Sequence, residues 1–128
     1  MNERKDIIII EDDSVVSDLV SDIVLSAGFK PVAFESGHQG LVHLNENKNR
    51  TALVYIDFML PNLDAHCLIS LAKAIDKNIP LLICSGLPQA KEELNDILND
   101  NTLAFIEKPF EVDSLIKVLI SMVSQSRL

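Results

Sequence analysis

The chain has 128 residues, 48% of them hydrophobic, and its 19 acids against 11 Lys and Arg give a net charge of −8. That length fits one domain with a full core, and the acidic balance offers no basic patch for nucleic-acid phosphates, so no direct nucleic-acid binding is expected. No apolar run approaches the ~20 residues of a membrane span and no apolar core follows Met1–Asp6, which excludes a signal peptide and leaves the cytoplasm, without membrane contact, as the expected compartment.

The segments alternate in kind along the chain. Ile7–Ile10 is a β-branched run of the sort that forms a strand buried on both faces. From Ser14 the period changes: Val15, Val16, Leu19, Val20, Ile23, Val24 and Ala27 recur at helical spacing as one inward stripe. Asp13 or Ser14 can cap that helix, and Gly28 stops it. Pro31–Phe34 is a short strand; Ser36 caps a second helix with Leu41, Val42 and Leu44, weakened by Gly37 and Gly40. Asn45–Arg50 is a polar loop and Ala52–Ile56 a third strand. Pro61–Asp64 is a turn with Asp64 as the next cap, before a stripe of Cys67, Leu68, Leu71, Ala72 and Ile75 that ends at Asn78–Pro80. Leu81–Cys84 is strand four, Pro88 opens a helix with Ala90, Leu94, Ile97 and Leu98 inward, and Leu103–Ile106 is strand five. Val112, Leu115, Ile116, Leu119 and Met122 line the last helix. Short strands alternating with helices predict a (βα)5 α/β fold, a parallel sheet covered on both faces through right-handed crossovers. Without a repeat, linker or low-complexity tract, residues 1–128 are expected to form a single domain.

Four of the strand-like runs end in polar groups. Glu11 and Asp12 follow the first, Asp57 the third, Ser85 the fourth, and Lys108 comes just after the fifth. In an open parallel sheet, ligands bind in the crevice beyond the carboxyl ends of the strands, so these groups meet at one edge. Adjacent carboxylates stay ionised comfortably only beside a cation or solvent. Mg²⁺ takes hard oxygen ligands and binds through one or two carboxylates, which suits Glu11, Asp12 and Asp57. A carboxylate such as Asp57 can also act as a nucleophile and form an aspartyl phosphate, given metal and cationic groups to neutralise the phosphoryl oxygens. The Ser85 hydroxyl can donate to such an oxygen, and the Lys108 ammonium can pair with one. Each residue also fits a plainer role: a helix cap for the acids, a Ser-Gly turn for Ser85, a solvated loop lysine for Lys108. The recurrence of four such groups at one edge favours the site.

The combination resembles the receiver domain of bacterial two-component response regulators, over essentially the whole chain. Ile7–Asp13 is similar to that family's first strand and acidic pocket, Asp57–Asp64 to its phosphoacceptor strand and loop, Cys84–Gly86 to its switch hydroxyl, and Phe105–Phe110 to its Lys-Pro segment. The resemblance implies a doubly wound, flavodoxin-like sheet of five parallel strands. It makes Asp57 the residue phosphorylated by a sensor histidine kinase or a histidine phosphotransfer protein. Mg²⁺, or Mn²⁺ in its place, would be held by Glu11, Asp12 as the direct ligand, Asp57 and the backbone carbonyl of Met59. Ser85 and Lys108 would bind the phosphoryl group, and Phe105 would be the aromatic switch. The face built from the fourth helix, fifth strand and fifth helix would then change and take a second copy or an output partner. Such a protein is a regulatory phosphoacceptor rather than an enzyme, with only intrinsic Mg²⁺-dependent autophosphorylation and autodephosphorylation.

Departures from the family pattern stand at Ala65, where Gly is usual, at Ser85, where Thr is commoner, and at Phe105, where Tyr is frequent. Met59 and Leu87 are apolar at flanking positions that tune dephosphorylation in the family; two apolar neighbours position an attacking water poorly, so a long-lived phosphorylated state is expected. Two rivals remain. A small phosphohydrolase with an aspartyl nucleophile wants a second Asp where Met59 stands. A pseudo-receiver that signals without phosphorylation would lack part of the acidic pocket or the lysine, and none is missing. Cys67 and Cys84, in apolar surroundings with no CxxC spacing, are expected to be buried thiols. His38, His43 and His66 have no ligand spacing with them and are expected at or near the surface.

Overall fold

The computed structural model describes residues 4–58, 65–86 and 102–126. The strands are β1 (Asp6–Ile10), β2 (Lys30–Phe34), β3 (Thr51–Asp57), β4 (Leu81–Ser85) and β5 (Leu103–Glu107). The helices are α1 (Ser14–Ser26), α2 (Gly37–Glu46), α3 (Ala65–Ile75) and α4 (Val112–Ser126). All strand pairs are parallel, in the order β2-β1-β3-β4-β5, so the expected five-stranded doubly wound sheet is present. The turn expected at Pro61–Asp64 and the helix expected from Pro88 fall outside the described residues.

Alternation along the strands divides the interior into two cores. Ile7, Ile9, Leu53, Tyr55, Leu82 and Cys84 face α1 and α4, where they meet Val20, Ile23, Val24, Leu115 and Leu119. Ile8, Ile10, Val54, Ile56, Leu81 and Ile83 face α2 and α3, where they meet Leu44, Leu68, Ile69 and Ala72. Both faces of the central strands are buried, which is why they read as unbroken apolar runs.

The helix ends follow local chemistry. The Asp13 carboxylate accepts from the Val15 and Val16 amides and caps α1, and the Ser36 hydroxyl accepts from the Gln39 amide and caps α2. Gly28 takes φ +93° just past α1, while the Phe29 amide donates to the Val24 carbonyl, a glycine-dependent helix stop. Gly37 and Gly40, expected to weaken α2, bring it close instead. A Cβ on Gly37 would lie 2.5 Å from Leu68 Cδ2, and one on Gly40 2.6 Å from Ile10 Cδ1.

The inward stripes are narrower than the sequence suggests. Val15 is 75% exposed, and Leu19 is also largely open. On α3 the buried residues are Leu68, Ile69 and Ala72, whereas Leu71 is exposed. Cys67, expected to be buried, is exposed; Cys84 is buried as expected. A helix offers the sheet only a strip of its circumference, so apolar residues at the margins of a wide stripe stay in solvent.

Candidate functional site

Strand register and parity assemble the site at the carboxyl edge. Ile10 pairs with Ile56, which puts Glu11 beside Asp57, and Asp57 pairs with Cys84. Glu11 follows Ile7 and Ile9, Asp57 follows Leu53 and Tyr55, and Lys108 follows Ala104 and Ile106, all on the α1/α4 side of the sheet. With a side-chain period of two, these three groups are directed to one side. Ser85 and Phe105 have the opposite parity. Phe105 packs with the α2/α3 core and pairs with Ile83, while Ser85 pairs with Glu107. Backbone bonds tie the rim: the Lys108 amide donates to the Ser85 carbonyl at 2.8 Å and the Phe58 amide to the Cys84 carbonyl at 2.9 Å. The Lys108–Pro109 peptide is cis.

Glu11 and Asp57 are 1% and 4% exposed, and Ser85 is buried, while Asp12 stands open at the mouth. Lys108 Nζ donates to Glu11 Oε1 at 3.0 Å and lies 3.7 Å from Asp57 Oδ1. One oxygen from each of Glu11, Asp12 and Asp57 falls within a mutual 4.8 Å. Burial raises the Glu11 pKa to about 7; its hydrogen bond with Asp57 adds to this, and Lys108 offsets part of it. Burial works to lower the Lys108 pKa, but its hydrogen bond to Glu11 and the charges of Asp57 and Glu11 outweigh it, so the ammonium is held more firmly. Among the described residues, the pocket therefore gathers more carboxylates than its one lysine pairs with. A small, hard divalent cation with oxygen ligands fits that donor set.

The structure thus brings together Glu11, Asp12, Asp57 and Lys108, and puts Ser85 and Phe105 at the neighbouring strand ends. Met59 and Leu87 lie outside the described residues, so neither the carbonyl expected from Met59 nor the flanking pair enters this geometry. Ala65 opens α3, and among the described residues only Gly28 takes a positive φ. Sequence reasoning passed over Tyr55, which lies beneath the pocket in the α1/α4 core with Cys84, the expected buried thiol. The Tyr55 hydroxyl is buried beside Cys84, and burial first, then its interaction with Cys84, pushes its pKa well up. Burial pushes the Cys84 thiol up to about 11. Parity was the available signal, since Tyr55 stands two residues before Asp57.

A family model described as the response regulator receiver domain matches residues 7–120. The chain belongs to that family. It is 27% identical to the chemotaxis protein CheY of Bacillus subtilis, over 88% of this chain and 92% of that protein. It is 30% identical to the transcriptional regulatory protein FixJ of Bradyrhizobium diazoefficiens, over 98% of this chain but 60% of that one. A receiver domain protein from Clostridium thermocellum superposes with a TM-score of 0.86 over 96% of this chain and 97% of that one; at 18% identity this speaks for the fold alone. The protein is a phosphoacceptor receiver domain of two-component signalling, a class regulatory rather than catalytic, and its acidic triad is of the kind that forms a receiver's Mg²⁺ site. Membership implies a histidine kinase or phosphotransfer partner. No helix among the described residues is long and apolar enough to cross a membrane.

Proposed function

We propose that residues 1–128 act as one receiver unit that takes a phosphoryl group onto Asp57 in the cytoplasm. The clustering of Glu11, Asp12 and Asp57, with Lys108 paired to Glu11 and Asp57, carries this reading. Glu11, Asp12 and Asp57 would hold Mg²⁺, with Asp12 as a direct ligand and the Met59 carbonyl completing the protein's share, or Mn²⁺ in its place; the cation would supply positive charge for the transferring phosphoryl oxygens. An Asp57 oxygen forms the new P–O bond in line with the P–N bond of a donor phosphohistidine. That bond breaks, and the imidazole leaves with its electron pair and takes a proton. Lys108 pairs with a phosphoryl oxygen in place of part of its contact with Glu11 and Asp57, and the Ser85 hydroxyl donates to another. The intact set favours this over a phosphorylation-independent module, and Met59 disfavours a phosphohydrolase.

The donor is a protein that carries a phosphohistidine, a sensor kinase or phosphotransfer protein. Beside Lys108, the side chains of Val16, Leu19, Pro109 and Phe110 line an apolar hollow of about 340 Å³. A small-molecule donor needs no such collar. Parity supports the switch: Ser85 and Phe105 share the α2/α3 side, and a shift of Ser85 toward the phosphoryl group would open space for Phe105 to turn inward. The face of the helix expected from Pro88, β5 and α4 then changes for a second copy or an output partner.

Incubation with acetyl phosphate and Mg²⁺, read by intact-protein mass spectrometry, tests the central step. Wild type gains one phosphoryl mass; EDTA or Asp57→Asn abolishes the gain. Uptake that survives Asp57→Asn would move the acceptor elsewhere.

A further inference from the structure

We propose that the groove between α2 and α3 is a docking site for an acidic amphipathic helix on a partner protein. The groove has a volume of about 480 Å³, and its apolar lining comes from Leu41 and Val42 of α2 and Leu71, Ala74 and Ile75 of α3. These residues recur at the spacing of single helix faces, so they form two ridges between which a third helix can lie. Val42 and Leu71 each leave 43% of their surface open, enough to bury more apolar area against an occupant.

Charge selects the occupant. The charged or titratable residues lining the groove are His38 and Lys48, with no acid among them, although the chain as a whole carries −8. A local reversal of sign attracts a partner whose flanks carry Asp or Glu. An adjoining hollow of about 410 Å³ shares His38 and Val42 with the groove and is also lined by His43. Among the described residues, His43 Nε2 is buried without a hydrogen-bond partner. A polar side chain reaching past Val42 would supply one. Glu46 lines the second hollow rather than the first, so Lys48 is the charge that an occupant of the groove meets directly. The groove lies across the sheet from the α1/α4 side that holds the acidic pocket, so a phosphodonor and this partner can bind together.

The test is a ¹⁵N–¹H NMR titration of the whole chain with a synthetic helical peptide that has leucines on one face and glutamates on both flanks. A second peptide carries lysines in place of the glutamates. Shifts should centre on Val42 and Leu71, and affinity should fall at least about tenfold for the lysine peptide, for Leu71→Glu and for Lys48→Glu. Both variants replace exposed side chains and should still take up phosphoryl from acetyl phosphate, which establishes that they are folded. Absence of α2/α3 shifts, equal binding of the two peptides, or shifts that map to α1 and α4 instead would overturn the proposal. Concentration-dependent dimerisation abolished by Leu71→Glu would also overturn it, because a second copy would then be the occupant.

Discussion

At the amino edge of the sheet, the ion pairs among the described residues match one carboxylate with one guanidinium: Arg50 Nε lies 3.9 Å from Asp6 Oδ2, and Arg4 Nη1 lies 3.6 Å from Asp76 Oδ2. At the carboxyl edge, Glu11, Asp12 and Asp57 cluster, and among the described residues the ammonium of Lys108 pairs with the two buried ones, Glu11 and Asp57. The amino edge is balanced and its arginines are well exposed, which makes for structural pairs of small energetic weight. The carboxyl edge holds a surplus of buried charge that folding alone does not call for. An unbalanced charge cluster of this kind marks where a ligand of opposite sign belongs.

The largest expected difference between the edges is in metal dependence. Chelation should abolish phosphoryl uptake, and Asp12→Ala should weaken Mg²⁺ binding by at least about tenfold, since even outer partners of metal ligands cost that much. Asp6→Asn at the balanced edge should leave both unchanged. Calorimetric Mg²⁺ titration of the two variants checks the contrast.

Next in size is the response of the metal-free protein to pH. Folding raises the Glu11 pKa from 4.5 to about 7, so in that window the native state holds a proton that the unfolded chain has lost. The contribution of Glu11 to stability is therefore fullest at the acid end and declines as pH rises from 4.5 to about 7, at up to roughly 1 kcal/mol per pH unit. Mg²⁺ favours the carboxylate and should flatten that slope. Urea denaturation across the window, with EDTA or with Mg²⁺, measures it.

Removing the cation from each edge sharpens the comparison. Lys108→Met leaves Glu11 and Asp57 without their ammonium, which should cost the metal-free protein about 1–3 kcal/mol and be largely recovered by Mg²⁺. Arg50→Met should cost roughly 0.2–1 kcal/mol, with no recovery by metal. The smallest effect is expected on phosphoryl lifetime: Met59→Asn places a polar group where a water can be held, and should shorten the half-life of the phosphorylated protein severalfold in a phosphate-release time course. A wild-type half-life of seconds would remove the basis for a protective Met59 and Leu87 pair.

Much of this was legible in the sequence because strand-end chemistry is local. Ile7–Ile10 runs straight into Glu11, and Ala52–Ile56 into Asp57; once the sheet is parallel, its topology brings them to one edge. The caps Asp13 and Ser36 and the stop at Gly28 were local too. What depends on tertiary contact was not legible. The inward stripes misassigned Val15, Leu19, Cys67 and Leu71, because periodicity gives the direction of an apolar face but not the width that the sheet covers. The Lys108–Glu11 bond joins residues 97 apart in sequence. The closeness of Gly37 to Leu68 and of Gly40 to Ile10 depends on how α2 settles, so both glycines read as weak helix formers.

The most direct test is to locate the modified residue. After treatment with Mg²⁺ and acetyl phosphate, borohydride reduction converts an aspartyl phosphate to homoserine, which peptide mass spectrometry can place in the chain. Homoserine at position 57 alone, absent when EDTA is added, is the predicted result. Modification at Glu11, Asp12 or any other position, or at Asp57 without a metal requirement, would contradict the assignment of the surplus charge to a Mg²⁺-dependent phosphoacceptor.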